Sequence, residues 1–223
     1  MWTRILLVCV ATLGVSTSVL AQELSTQKEK FSYTIGYQMG KSLMRNDLEL
    51  DQDVVINAIR DALSGKDPKL SQGEMSSAIA AQRVLLQKKF DDLAAANLAR
   101  SKAYLEKNKQ RPGVKVTDSG LQYEVLTEGT GARPKPSDTV VVNYKGSLID
   151  GTVFDSTYER KTPATMPLEG VIKGWKEGLQ LMKEGAKYKF YIPPDLAYGK
   201  KGAGERIGPN EALIFEVELL HVK

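Results

Sequence analysis

The residue types that most often carry enzyme chemistry are scarce in this chain. Its 223 residues include one histidine, His221, and one cysteine, Cys9. A single cysteine forms no disulfide within the chain, and one His with one Cys builds neither a zinc cage nor Cys-His or Ser-His-Asp machinery. His221 lies near the carboxyl end, where we expect a structural or exposed role. The sequence therefore predicts chemistry without imidazole catalysis, and we expect no metal and no cofactor.

The charge balance narrows the class of partner. The chain carries 31 basic and 27 acidic side chains, which gives a formal net charge of +4. Proteins that bind nucleic acid usually concentrate basic residues on one face, so this small excess argues against nucleic acid as the main partner. The length allows one large domain or two small ones.

The first 21 residues have the pattern of a secretory signal peptide. Arg4 precedes a mostly apolar, uncharged run from Ile5 to Leu20, and the run ends at the small residue Ala21. The pattern predicts cleavage and export. A membrane anchor is the alternative, but the run is shorter than the roughly 18–20 residues that span a bilayer. We therefore expect a mature chain from about Gln22 in the periplasm, with outer-membrane or cell-surface association as the alternative location.

The composition changes near residue 110. Eight of the nine prolines and 14 of the 19 glycines follow that position. Both residue types interrupt long helices and mark turns. The change therefore predicts a helical domain over residues 22–110 and a β-rich domain over residues 111–223.

Two short helices are predicted at the start of the first domain. One begins at a cap on Ser25 and extends to about Arg45, with apolar residues at every fourth position. The other begins at Asp51 or Asp53 and ends at Ser64-Gly65. So few residues seldom form a stable core alone. We therefore expect a homodimer through residues 22–80, and a monomeric three-helix domain is the alternative.

A third predicted helix, over about residues 72–109, is unusually long. Ser71 and Glu74 fit a capping box at its start, and no proline interrupts it. Its early part carries apolar residues such as Val84 and Leu85, whereas its later part is rich in charge. We therefore expect a packed start, a largely solvated end, and a rigid linker between the dimer and the second domain.

The second domain shows the apolar alternation typical of strands. Alternating or β-branched segments run over 121–126, 139–144, 187–192 and 212–222, and Asp150-Gly151 predicts a tight hairpin. One amphipathic helix, over 171–182, interrupts them. The predicted fold class is α+β, with an antiparallel sheet that wraps around one short helix.

Five short motifs follow one another in this β-rich domain. They are Val142–Gly146 (VNYKG), Asp150–Ser156 (DGTVFDS), Val171–Trp175 (VIKGW), Leu196–Gly199 (LAYG) and Leu213–Leu220 (LIFEVELL). Together they resemble the FKBP-type peptidyl-prolyl cis-trans isomerases. The first domain resembles the dimerisation domain of the macrophage infectivity potentiator subfamily, notably in Phe31–Gly36 (FSYTIG). The resemblance covers nearly the whole mature chain.

The resemblance implies roles for the side chains of an apolar pocket. The implied catalytic residues are Asp155, Tyr198 and Tyr144. Those implied to bind substrate are Phe154, Arg160, Val171, Ile172, Trp175 and Phe215. Trp175 would form the floor, the Tyr198 hydroxyl and the Ile172 amide would donate to the substrate, and Asp155 would be oriented by Tyr144 and Arg160. Without the resemblance, the aromatic residues would be interpreted as core and Asp155 as a turn cap.

Rotation about an Xaa-Pro bond suits a chain without imidazole chemistry. The barrier is about 20 kcal/mol and arises from amide resonance, so an apolar pocket with a few donors can favour the twisted imide.

The resemblance implies proline-containing unfolded or nascent exported proteins as substrates, a chaperone role and inhibition by FK506-type macrolides. Ala164, Ala203 and Arg206 depart from the best-known small members and are expected to alter inhibitor affinity. The alternative is a holdase or surface-binding protein with an incidental isomerase pocket.

Overall fold

The computed structural model describes residues 24–44 and 48–223, which fall into two compact units. One unit ends at Lys69 and the other covers Leu70–Lys223. The predicted signal peptide lies outside the described residues, and so does Arg45, the expected end of the first helix.

Helices dominate the first part of the described chain and strands the rest. The α-helices are α1 (Gln27–Met44), α2 (Gln52–Leu63), α3 (Gln72–Asn108), α4 (Thr157–Arg160) and α5 (Lys173–Leu181). The strands are β1 (Val114–Val116), β2 (Gln122–Thr127), β3 (Thr139–Leu148), β4 (Val153–Ser156), β5 (Ala164–Pro167), β6 (Lys187–Ile192) and β7 (Leu213–Val222). Among the helices in the described part of the chain, none is long and apolar enough to cross a bilayer.

Side-chain caps fix the starts of α1 and α2. The Thr26 hydroxyl accepts from the Glu29 amide at 3.2 Å, and the Glu29 carboxylate accepts from the Thr26 amide at 2.8 Å. The predicted cap was therefore wrong by one residue, because the Ser25 hydroxyl donates to the Glu29 carboxylate instead. At α2, Asp51 accepts from the Val54 amide and is the cap, so it is the first of the two predicted starts that the structure shows. Neither helix has a buried residue.

The burial pattern of α3 is the reverse of the predicted one. The helix begins at the expected capping box, but the side chains of its first part, such as Val84 and Leu85, are exposed. Its buried residues all lie in the later part: Ala94, Asn97, Ser101, Leu105 and Asn108. The prediction of a packed start and a solvated end was therefore wrong for the single chain. Spacings of three and four residues place these mostly small or polar side chains, together with Leu105, on one helix face. This face packs against the β-rich domain.

An antiparallel sheet of seven strands forms the β-rich domain. The strand order is β1-β2-β6-β7-β3-β4, and β5 pairs with β3. Helix α5 lies against the sheet at Gly174 and Gly178, where a Cβ would come within 2.5 Å of Ile192 and 2.7 Å of Phe190. Only glycine allows this approach. The predicted α+β class, with a sheet wrapped around one short helix, is confirmed.

The predicted hairpin turn joins β3 to β4. The Leu148 amide donates to the Thr152 carbonyl at 2.9 Å, and the Gly151 amide donates to the Leu148 carbonyl at 3.0 Å. Gly151 has a φ of 90°, which strongly favours glycine. This turn sets the register that brings Asp155 of β4 opposite Gly146 of β3.

Candidate active site

A cavity of about 720 Å³ opens among the sheet, the start of α5 and the segment between β6 and β7. The predicted site residues that line it are Tyr144, Phe154, Asp155, Val171, Ile172, Trp175, Tyr198 and Phe215. The remaining one, Arg160, reaches two of them from α4. The structure thus brings together residues that are up to 71 positions apart in the sequence, from Tyr144 to Phe215.

Strand register places the walls of the pocket around Gly146. This glycine pairs with Asp155 on one side and with Phe215 on the other. A Cβ at position 146 would lie 2.6 Å from a ring carbon of Phe154 and 2.7 Å from one of Phe215. The rings of Phe154 and Phe215 meet edge to face, with centroids 5.5 Å apart. A side chain at position 146 would therefore displace both walls.

Trp175 forms the floor of the pocket. The Ile172 carbonyl accepts from the Trp175 amide at 3.0 Å, which places the indole in the first turn of α5. Its ring meets Tyr144 and Phe215 edge to face, each at a centroid distance of 5.1 Å. The side chain is only 4% exposed, and its Nε1 has no hydrogen-bond partner among the described residues. The floor is therefore apolar apart from a single N–H.

Asp155, Tyr144 and Arg160 form a hydrogen-bonded cluster at the rim. The Tyr144 hydroxyl and the Arg160 guanidinium both donate to the Asp155 carboxylate, and Arg160 also donates to the Tyr144 hydroxyl oxygen at 3.0 Å. Thr157 anchors this arrangement, because its hydroxyl oxygen accepts from the Tyr144 amide at 2.8 Å. The partners of Asp155 are therefore those that the resemblance implied.

The cluster keeps Asp155 ionised. Burial alone would raise the pKa of Asp155, but the hydrogen bonds from Tyr144 and Arg160 and the Arg160 charge outweigh burial and lower it. Burial and the neighbouring carboxylate raise the pKa of the Tyr144 phenol. At neutral pH the pair is thus a carboxylate and a neutral phenol, and the hydrogen bond between them fixes the orientation of both groups.

Two donors face the cavity without a protein acceptor among the described residues. Tyr198 is 41% exposed and its hydroxyl makes no hydrogen bond to them. The Ile172 amide, just before the first turn of α5, is likewise without a described acceptor. Both are the donors that the resemblance implied, and both are available to a peptide carbonyl.

Further pocket residues come from the loop that carries Ala203 and Arg206, at which the sequence predicts an altered inhibitor affinity. Ala203, Gly204, Glu205, Arg206 and Ile207 line the cavity, and Arg206 donates to the Phe154 carbonyl at 3.0 Å. Ile207 was missed, although its isolation as an apolar residue in a glycine-rich stretch is a usable signal. Met166 and Gly170 also line the cavity, whereas Ala164 packs against the core.

His221 lies outside the lining of this cavity, and its side chain is exposed, which is one of the two roles expected for it. Its Nδ1 is 3.2 Å from the Glu184 carboxylate. Within the described ranges, no group of three or more His, Cys, Asp or Glu side chains is arranged to hold a metal ion.

The pocket combines an apolar aromatic floor with donors that have no described acceptor. This arrangement can bind a proline ring, orient a peptide by hydrogen bonds and favour a twisted imide.

Sequence comparison decides the family. A profile described as "FKBP-type peptidyl-prolyl cis-trans isomerase" matches residues 131–220, and one described as "Domain amino terminal to FKBP-type peptidyl-prolyl isomerase" matches residues 28–125. The peptidyl-prolyl cis-trans isomerase Mip of Coxiella burnetii is 45% identical over 214 residues, which cover 93% of this chain and 92% of the relative. The chain belongs to the FKBP-type peptidyl-prolyl cis-trans isomerases.

Other relatives of this FKBP-type isomerase agree. The outer membrane protein MIP of Legionella longbeachae is 43% identical over 218 residues, or 95% of this chain and 94% of the relative. The crystal structure of FkpA from Escherichia coli matches with a TM-score of 0.66 and 42% identity, and the match covers 90% of this chain and 99% of that one. The chain is a peptidyl-prolyl isomerase, which confirms the activity that its motifs predicted.

Proposed function

We propose that this isomerase rotates Xaa-Pro bonds in the 720 Å³ pocket above Trp175, and that its substrates are unfolded or nascent exported proteins. The carrying observation is the combination of an apolar aromatic floor with two unengaged donors, Tyr198 and the Ile172 amide. This combination suits a substrate that presents a proline ring and peptide carbonyls.

The roles of the residues follow from their positions. Trp175, Phe154 and Phe215 enclose the proline ring, and Val171 and Ile172 complete the apolar wall. In the planar imide, resonance places charge on the oxygen and nitrogen, and a twisted imide has less of this separation. A dry pocket therefore favours the twisted form, and the donors stabilise its carbonyl more than that of the planar form.

The site assignment is tested by removing one donor and the rim carboxylate. The Tyr198→Phe, Asp155→Leu double variant should lower kcat/KM for a short proline peptide by roughly tenfold or more, because a single positioned donor often contributes this much. Tyr158→Phe is the matched control: Tyr158 is 45% exposed, close to the 41% of Tyr198, but lies outside the cavity lining. Thermal unfolding of each variant shows whether the fold is retained.

An unchanged rate for the folded double variant would contradict the site assignment. An equal loss in Tyr158→Phe would show that the effect is not specific to the pocket. FK506 supplies an independent check, since a macrolide that occupies the pocket should abolish the wild-type rate and quench the fluorescence of Trp175. Trp2 is the other tryptophan, and it lies in the predicted signal peptide.

We further propose a homodimer formed through residues 22–80. The support is the apolar exposure of the two short helices: Phe31, Tyr33 and Tyr37 of α1 and Val54 of α2 are all more than half exposed. A groove of about 740 Å³ between α1 and α2 has a mostly apolar lining. A second copy of the same surface would bury these side chains, at about 25 cal/mol for each Å² removed from water.

Sedimentation of the mature chain and of a 70–223 fragment tests the dimer. We expect a dimer for the first and a monomer for the second at micromolar concentration. A monomeric mature chain would contradict the proposal. A dimeric fragment would show that α1 and α2 are not required for dimerisation and would contradict their proposed role in the interface.

Export to the periplasm, with attachment to the outer membrane or cell surface as the alternative, completes the proposal. The amino-terminal pattern supports export, and the Legionella longbeachae relative is described as an outer membrane protein.

Two linked pockets could hold one flexible client at a raised effective concentration. If the double variant still prevents aggregation of an unfolded client, the holdase function is independent of the pocket.

A further inference from the structure

The segment between β6 and β7 carries one side of the pocket but has little regular structure of its own. It runs over residues 193–212 and contains only two single-turn 3-10 helices, at Pro194–Leu196 and Gly199–Lys201, and an isolated bridge between Ala203 and Ile207. Tyr198, Ala203 and Ile207 of this segment line the cavity. Because no long strand ladder holds the segment, other contacts must fix its path.

Helix α3 supplies such contacts near the end of the segment. Asn97, which is 1% exposed, donates from Nδ2 to the Pro209 carbonyl at 2.9 Å. The Ser101 hydroxyl donates to the Asn210 carbonyl at 3.0 Å and accepts from the Ala212 amide at 2.8 Å. These bonds join a helix from the predicted linker to residues that directly follow the pocket wall.

The same contacts extend to the other end of the segment. The Asn210 amide donates to the Gly199 carbonyl at 2.8 Å, next to Tyr198. Its side chain donates to the Ala94 carbonyl of α3 at 3.1 Å, and its φ of 56° holds the backbone in a left-handed turn. The Lys200 ammonium lies 2.8 Å from the Asp91 carboxylate of the same helix. Residue 200 and residues 209–212 of the segment are thus tied to α3 directly, and Gly199 is tied to it through Asn210.

We propose that Asn97 is a positioning residue of the isomerase site, acting through Pro209 and Asn210 on the Tyr198–Ile207 wall. The inference rests on the proposed role of this cavity as the isomerase pocket. The hydrogen-bond partners of the Asn97 side chain, Pro209 and Arg100, do not line the cavity. Asn97 instead fixes the backbone of the segment from which the lining side chains project. Removing the Asn97 side-chain amide leaves the buried Pro209 carbonyl without its hydrogen-bond donor. The segment must then shift to give that carbonyl another donor.

A small shift of this segment should be sufficient to lower the rate. A misplacement of about 1 Å can cost as much as a hundredfold when it reaches groups that contact the substrate. Ala203 and Ile207 line the cavity and would bind the planar and the twisted state alike, whereas Tyr198 would stabilise the twisted state more. A shift of the whole wall should therefore raise KM and also lower kcat.

A second buried asparagine of α3 provides the matched control. Asn108, which is 3% exposed, donates to the Gln122 side chain of β2 at 2.9 Å and accepts from Arg111, and neither partner lies in residues 193–212. Asn97→Ala and Asn108→Ala each remove one buried amide from the same helix face. A role limited to helix docking predicts equal effects of the two changes on the isomerase.

The experiment compares Asn97→Ala, Asn108→Ala and Asn210→Gly in the full mature chain. Asn210→Gly keeps the positive φ and deletes only the side-chain bond to Ala94, so it remains informative if Asn97→Ala fails to fold. We expect Asn97→Ala and Asn210→Gly to lower kcat/KM for a short proline peptide at least about fivefold, and Asn108→Ala to stay within about twofold. All rates are compared below the unfolding temperature of each variant.

Amide hydrogen exchange measures the positioning without any activity. We expect faster exchange in Asn97→Ala at the Ile207 amide, which donates to Ala203, and at the Asn210 amide, which donates to Gly199. Amides of β3 should be unchanged. Equal activity losses in Asn97→Ala and Asn108→Ala, or unchanged exchange at positions 207 and 210, would overturn the inference. An inactive wild type would instead overturn the proposed function, and the exchange comparison would still decide the positioning role.

Discussion

The later part of α3 belongs structurally to the isomerase domain, and this placement predicts how two truncations will differ. The composition change near residue 110 suggests a fragment that starts at residue 111, whereas the compact unit of the structure starts at Leu70. A fragment over 111–223 loses all of α3, and a fragment over 70–223 retains it. We expect the shorter fragment to be much less stable than the longer one.

The size of the difference follows from the contacts of α3. At least six hydrogen bonds with a side-chain partner join α3 to residues 111–223 in the described structure. At about 0.5–1 kcal/mol net for each bond, they contribute about 3–6 kcal/mol. Leu105 also packs with Tyr191 and Ala212 in a small apolar cluster. Domains of this size are stable by only about 5–15 kcal/mol, so the loss is a large fraction of the total.

Urea unfolding followed by Trp175 fluorescence measures the difference. With a slope of about 1–3 kcal/mol per molar urea, the midpoint for residues 111–223 should lie about 1 M or more below that for residues 70–223. Asn108→Ala in the longer fragment is an internal calibration, since it removes one of the six bonds. Equal midpoints for the two fragments would refute the conclusion that α3 stabilises the isomerase domain.

Two further predictions concern the pocket. Gly146→Ala should lower kcat/KM at least about tenfold, because the new methyl displaces the Phe154 ring. Gly73→Ala is its control, because a Cβ at position 73 meets only an ordinary contact at 3.9 Å and the residue lies outside the cavity lining. Equal losses in the two variants would contradict the explanation. Arg160→Ala should raise the pKa of Asp155, since it removes a donor and a positive charge. Because the folded pKa of Asp155 is lowered, its stabilisation is present at neutral pH and is lost as the pH falls through that value. A carboxyl titration by NMR that does not move would contradict this account.

The fold could be predicted largely from local signals. Apolar alternation, the Asp150-Gly151 turn and the Ser71 capping box each act within a few residues, and each is found where expected. The burial of α3 could not be predicted this way. Asn97, Ser101 and Asn108 look like solvated positions, but their partners are carbonyls and amides supplied by residues 14 to 112 positions away. Composition does not show such partners, so it predicts wrongly that the polar face of the later part of α3 lies in solvent.

The site could be predicted only through its motifs. Alternation along β4 and β7 marks Phe154 and Phe215 as core residues, and nothing in the spacing shows that Gly146 lies between them. The family resemblance supplied the set, and the structure brings its members together at one cavity. Ile207 could not be predicted because no short motif includes it. Asn97 could not be predicted because its proposed effect passes through the backbone of another segment.

The hydrogen-bond donors and acceptors of the pocket explain how a site without a histidine can isomerise a peptide bond. Asp155 is engaged by Tyr144 and Arg160, so the Tyr144 hydroxyl is held on the carboxylate and not on the substrate. Tyr198, the Ile172 amide and the Trp175 Nε1 remain without acceptors in the described part of the chain. A proline-containing peptide segment has more carbonyl acceptors than N–H donors, because proline has no backbone N–H. A pocket with unengaged hydrogen-bond donors is complementary to such a segment. The scarcity of catalytic acids and bases is thus compatible with the reaction, because twisting an imide requires donors and a dry wall but no proton transfer.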